Sequence, residues 1–268
     1  MNIVNTYVFD AKNNEELKRE QARAGEGNKA WLKRVTGGDD SRGLILIGGN
    51  SVVDFHIRVS QSSLRHDLTP SYWSMVGILS DAETFYSVPL QWTGDLSEMP
   101  HSNGIQVCKI DDYNDPARFP NIAFIRFTAD MAKIIGHAKN LRWQRSLVDL
   151  PELVVRWLEY VWMAGASSNP LAEAKGLPSA VFAETAFGVG GIELTPGLAT
   201  AAACPEAIWQ AAKWWSTFYA GASDMKVRSR AAPMVPRGSF ALRQPSAAVF
   251  EKAYEPKTAG GRKSRTKS

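Results

Sequence analysis

The chain has 268 residues, 44% of them apolar, 22% charged and 10% aromatic, with a formal charge of +4. That length can bury one large core or two small ones, and nine tryptophans exclude disorder of the whole chain. No run approaches the roughly 18 apolar residues of a membrane-spanning helix, and two cysteines supply neither a disulfide framework nor, by themselves, a structural zinc site.

The amino-terminal stretch lacks the basic flank, apolar run and small-residue cleavage site of a secretory signal, so a soluble protein of the reducing cytoplasm is expected. The charge is unevenly divided. Residues 226–268 hold eleven Lys and Arg against Glu251 and Glu255, a net +9, and the rest of the chain is −5. An acidic body with a basic tail is not a uniformly basic nucleic-acid-binding domain, so contact with a polyanion is expected only through the tail.

In chain order, residues 11–35 are polar with a thin apolar face at Leu17, Trp31 and Leu32, which predicts surface helix, and 36–42 form a connector. Leu44–Ile47 is a short strand ending at Gly48-Gly49. Val52–Val59 alternates apolar and polar residues and predicts a half-buried strand with His56 on its polar face. Trp73–Leu79, Thr84–Leu90, Gly104–Ile110 and Ile122–Phe127 complete about six strands, several only a turn apart, as antiparallel pairing requires. Helical spacing follows at Met131, Ile134, Ile135 and Ala138, then over about 150–165, near 178–187, and from Pro205 to Tyr219. Beyond Gly221 no periodicity remains, which predicts linker and disorder. The expected fold class is α+β, a mainly antiparallel sheet packed against helices. Residues 43–221 form the domain, 1–42 a surface helix and connector, and 222–268 a basic tail.

Cys204 precedes Pro205-Glu206-Ala207-Ile208, the expected start of a helix, where free amides and the helix dipole favour a thiolate. Set against this is a small buried cysteine that only packs, the reading also given to Cys108 within a strand. Four histidines could serve as a base: His56 on a strand, His66 in a turn beside Asp67, His101 in a loop and His137 in a helix. No HExxH, CxxC or His-x-His spacing occurs, so neither metal nor cofactor is expected. Gly188–Gly191 lacks the Lys-Ser/Thr of a phosphate loop. Six of the nine tryptophans lie in the helical part as packing residues, although Trp214 and Trp215 cannot both face inward.

The glycine-led strand from Gly43, the run Phe55–Gln61 and the segment Ser71–Leu79, followed much later by Cys204-Pro205-Glu206-Ala207-Ile208, resemble circularly permuted papain-like hydrolases. These are the YiiX-like and lecithin:retinol acyltransferase-like relatives of the NlpC/P60 group. The resemblance spans about 43–220 and implies a cysteine nucleophile at Cys204, with a polar orienter at Glu83 or Ser87. The family's catalytic histidine falls at Met75, and a thioether cannot serve as a general base. Three accounts are open: a degenerate member that binds, an introduced substitution at Met75, or His56 or His66 approaching Cys204 from elsewhere. The resemblance thus implies a thiol hydrolase or acyltransferase acting on an amide or ester. The alternative is an inactive papain-fold binding or assembly protein, whose cleft, rimmed by Trp73 and Trp92, holds a peptide, lipid or protein partner.

Overall fold

A computed structural model describes residues 17–37, 41–90, 103–144, 150–163, 167–220 and 236–244. Among these, seven strands form one sheet: β1 (Leu17–Arg19), β2 (Gly43–Gly48), β3 (Met75–Leu79), β4 (Thr84–Ser87), β5 (Gln106–Lys109), β6 (Asn121–Arg126) and β7 (Arg237–Leu242). Their order is β1-β7-β6-β2-β3-β4-β5. Every pairing is antiparallel except β1 with β7, where Leu17 sits opposite Gly238 in parallel. Six helices accompany the sheet: α1 (Asn28–Thr36), α2 (Val52–Ser60), α3 (Met131–Gln144), α4 (Leu150–Val161), α5 (Pro178–Gly188) and α6 (Pro205–Ala220). The architecture is α+β.

The alternation of β2 and β3 divides the interior into two layers. Leu44, Leu46, Val76 and Ile78 face the larger one, which is filled by Ile57 of α2 and by side chains of α3 to α6, among them Trp157, Phe182 and Trp209. Ile45, Ile47, Met75 and Leu79 face the smaller one, closed by Trp31 and Leu32 of α1 and by Ile110 and Tyr113. Both faces of these strands are therefore buried, as their near-continuous apolar sequence requires.

Four expectations need correction. Val52–Val59 is not a strand but α2. Ser51 caps it, accepting from the Asp54 amide while the Asp54 carboxylate accepts from the Ser51 amide, and this reciprocal box fixes a helix start despite an alternating pattern. The apolar residues of the amino-terminal segment are not a thin surface face: Trp31, Leu32 and Leu17 are all buried. The helical tryptophans are not all packing residues, because Trp143 is 79% exposed and Trp162 is exposed as well, while Trp214 is exposed in keeping with a pair that cannot both face inward.

The fourth correction concerns the tail. Residues 237–242 form β7, an inner strand of the sheet, and Arg243 beyond it donates to Asn28 Oδ1 at 2.5 Å and to the Glu26 carbonyl at 3.2 Å. Two of the tail's arginines, Arg237 and Arg243, thus belong to a folded strand and its exit. The sheet extends outside 43–221 at both ends. The rest of the tail, residues 222–235 and 245–268, lies outside the described residues.

Candidate functional site

The sheet, helices and loops converge where β2 ends and β3 begins. Gly48 and Gly49 carry the chain from β2 into the Ser51 cap of α2. A Cβ on Gly48 would lie 1.8 Å from the Tyr72 carbonyl oxygen, so glycine is required there, and one on Gly49 would lie 2.1 Å from Asp54 Oδ2 and displace that carboxylate. Ser51 Oγ donates to Asp54 Oδ2 at 2.6 Å, and Ser74 Oγ donates to Asp54 Oδ1 at 2.6 Å while accepting the Gly49 amide at 3.1 Å. The carboxylate of Asp54 is thus pinned by hydroxyls from two elements.

Beneath this corner lies a buried ionic network. Arg58, 2% exposed, donates through Nε to the Ser71 carbonyl at 2.6 Å and through Nη1 to the Gly49 carbonyl at 3.1 Å. Arg65 grips Asp67 with two parallel bonds of 2.9 and 2.7 Å, lies over the Tyr72 ring, and reaches Glu206 Oε1 at 3.5 Å. Glu206 has no exposed surface; it accepts from Ser71 Oγ at 2.6 Å and from Gln210 Nε2 at 2.5 Å, while its amide donates to Gln61 Oε1 at 2.8 Å. The start of α6 is therefore locked onto the α2 side of the molecule.

The corner opens into a cleft of about 500 Å³. Its apolar lining comes from Ile47, Ile57, Met75, Val88, Leu90 and Phe119, and its polar lining from Asn50, Ser51, Asp54, Ser74, Arg118 and Ser179. The lining exposes polar and apolar surface in about equal measure, and polar groups converging in a concave site are what a ligand pocket offers. Asn50 ties its rim to the facing loop, donating from its amide to the Arg118 carbonyl at 3.1 Å and from its side chain to the Ala117 carbonyl at 2.5 Å.

The residues proposed for thiol chemistry do not meet here. Cys204 does stand immediately before α6 and accepts from the Glu206 and Ala207 amides. It has no exposed surface, however, and burial pushes its thiol up to about 12 despite those amides. Desolvation outweighs the helix start. Met75 opens β3 in the smaller core layer while Cys204 packs in the larger one, so the sheet separates them. His56 is on α2 rather than a strand, with Nδ1 2.5 Å from the Val161 carbonyl. His66 is exposed in its turn, and His137 lies in α3.

The remaining candidates are likewise engaged or displaced. Glu83 is exposed and pairs with Lys29 at 2.5 Å, and Ser87 donates to the Val76 carbonyl at 2.5 Å. Trp73 is wholly buried against Trp209 and rims nothing. His101 and Trp92 lie outside the described residues. Cys108 is 7% exposed, and burial pushes its thiol up to about 11 beside Tyr113. Among the described residues no cluster of three or more His, Cys, Asp or Glu is placed to hold a metal ion.

Both thiols are therefore expected to react with 5,5′-dithiobis(2-nitrobenzoate) at pH 8 orders of magnitude more slowly in the native chain than in urea. A Cys204 that labelled equally fast in both states would reinstate it as a nucleophile. The same burial carries a pH dependence. Since folding raises the Cys204 thiol from 9.0 to about 12, its contribution to stability is full below pH 9. It is lost as the pH climbs towards 12, because only the unfolded chain sheds the proton.

Apart from Met75, sequence reasoning missed the residues that build the cleft. Asp54 was visible only as a polar position, and Ser74, Tyr113 and Arg118 carried no pattern. The one available signal was Ser51-Val52-Val53-Asp54, a capping box directly after a strand and two glycines. Compared with protein families, curated proteins and solved structures, the chain matches none.

Proposed function

We propose that the chain is a binding protein whose ligand is seated in the cleft between the end of β2, the start of β3 and the start of α2, and that thiol catalysis is not its activity. One observation carries this reading. The open, mixed apolar and polar site is at Asp54, Ser74 and Met75, whereas the only thiol at a helix start is sealed in the core. The position at which the family resemblance expects a histidine does line the cleft, but as a thioether it offers a ligand apolar, polarisable contact and no proton transfer.

The neutral fluorophore N-phenyl-1-naphthylamine tests the cleft. Titration is expected to give a saturable rise in fluorescence with one site per chain. Val52→Trp, which places an indole in the cleft from a half-exposed position at the start of α2, is expected to abolish that rise while leaving the melting temperature within a few degrees. Equal fluorescence in the Val52→Trp variant would remove the cleft as the binding site.

A further inference from the structure

The cleft does not end at Arg118. A second cavity, of about 520 Å³, shares Tyr113, Arg118 and Phe119 with it and continues to Cys108 beside the edge of β5. The two cavities adjoin at these three residues and are taken as the two halves of one groove. Its near half has an apolar floor at Ile47, Met75 and Phe119, with the Asp54 carboxylate at its wall. Its far half carries Asp111, Asp112 and Asp115.

The charges along the groove run mainly one way. Asp111 is engaged by Lys29 at 2.9 Å, which also holds Glu83. Asp115 accepts the Ala117 amide through one oxygen at 2.8 Å. Arg118 is the cation on the groove's own lining, its guanidinium 5.5 Å from the Phe119 ring centre at the junction of the two halves. Its donors suit the carbonyls of an extended backbone passing over it. Asp54 at one end and Asp112 and Asp115 at the other suit cationic side chains, and the apolar floor between suits alternating apolar ones.

Resting on the binding reading above, we propose that the occupant of this groove is an extended peptide segment of a partner protein, with basic side chains alternating with apolar ones. An extended chain places successive side chains on opposite sides, so alternate residues meet the floor and the carboxylates. Charge complementarity of this kind sets specificity and encounter rate and weakens with salt.

The probe is a short fluorescein-labelled peptide of alternating lysine and leucine, followed by fluorescence anisotropy on the full chain. It is expected to bind, to lose affinity at least tenfold on raising the salt from 50 mM to 500 mM, and to bind at least tenfold more tightly than its glutamate–leucine counterpart. The double variant Asp112→Asn, Asp115→Asn keeps the side-chain shapes and the acceptor for Ala117. It is expected to weaken the lysine peptide about tenfold without changing naphthylamine binding or the melting temperature. Equal binding of the glutamate peptide, or an unchanged affinity in the double variant, overturns the proposal. Naphthylamine binding without peptide binding also overturns it and assigns the cleft to a small apolar ligand, leaving the binding reading intact. Failure of both probes removes that reading too.

Discussion

Glu206→Ala is expected to lower the free energy of unfolding by about 3–5 kcal/mol, seen as a fall in the urea midpoint with an unchanged slope. Glu206 is wholly buried at the first turn of α6, and its carboxylate is the acceptor for Ser71, Gln210 and Arg65. Alanine leaves three donors behind, one of them a guanidinium only 7% exposed, in a region where Arg58 already brings a second cation. Breaking a buried pair by removing one partner is far more damaging than the net worth of the pair, because the surviving charge keeps its desolvation penalty. Glu206→Gln, which retains an acceptor of the same shape, is expected to lose roughly half as much. A loss below about 1 kcal/mol for the alanine variant would mean that Arg65 is satisfied by Asp67 alone and that Glu206 is dispensable.

The second large effect is Gly48→Ala, expected to be destabilising by about 3 kcal/mol or more. The added methyl would stand 1.8 Å from the Tyr72 carbonyl oxygen and 3.1 Å from Asn121 Cβ. The nearer obstacle is backbone, so no side chain can swing aside, and β2 must part from the strand entry at residues 72–74. That entry carries Ser74, so naphthylamine binding is expected to fall with stability. Gly136→Ala is the matched control: Gly136 lies within α3, a Cβ there meets nothing within 4 Å, and the change is expected to be stabilising by about 0.5–1 kcal/mol. If both substitutions shifted the melting temperature alike, the close approach at Gly48 would be refuted.

Much of the fold was legible because apolar periodicity reports burial directly. The strands around Leu44–Ile47, Thr84 and Ile122, and the helices at 131, 150, 178 and 205, stand where their sequence patterns placed them, to within a few residues. Where periodicity was ambiguous, it failed for a physical reason. Val53, Phe55, Ile57 and Val59 satisfy an alternating template, yet Val53 and Ile57 are also four apart, and the reciprocal hydrogen bonds of Ser51 and Asp54 decide for the helix. Arg58, one of the polar residues of the same alternation, is a buried cation holding two carbonyls. β7 was missed because the apolar residues of Arg237-Gly238-Ser239-Phe240-Ala241-Leu242 are consecutive rather than alternating and lie in a proline- and arginine-containing stretch, although Ala241 is buried and Phe240 packs on Trp209.

For the candidate site, the sequence located a helix-start cysteine correctly and could not weigh its burial. Exposure is a property of the tertiary fold: the amides of Glu206 and Ala207 favour a thiolate, but the surrounding core withholds water, and the second effect wins. The cleft itself draws on segments from Ile47 to Ser179 that share no local motif, so only the assembled structure brings them together.

The position of β7 also governs the order in which the protein can be completed during synthesis. β6 pairs with β2 as soon as both have emerged, but its other edge waits for Arg237–Leu242, more than a hundred residues later. At ribosomal rates of about 5–20 residues per second, that edge stands open for roughly ten seconds, and among the described residues β1 has no strand to pair with until β7 arrives. During that interval Ile122, Phe124 and Ile125 sit on an unpaired strand edge that invites pairing with a neighbouring nascent chain. The yield of folded protein is therefore expected to depend on translation speed and on chaperones that shield a strand edge.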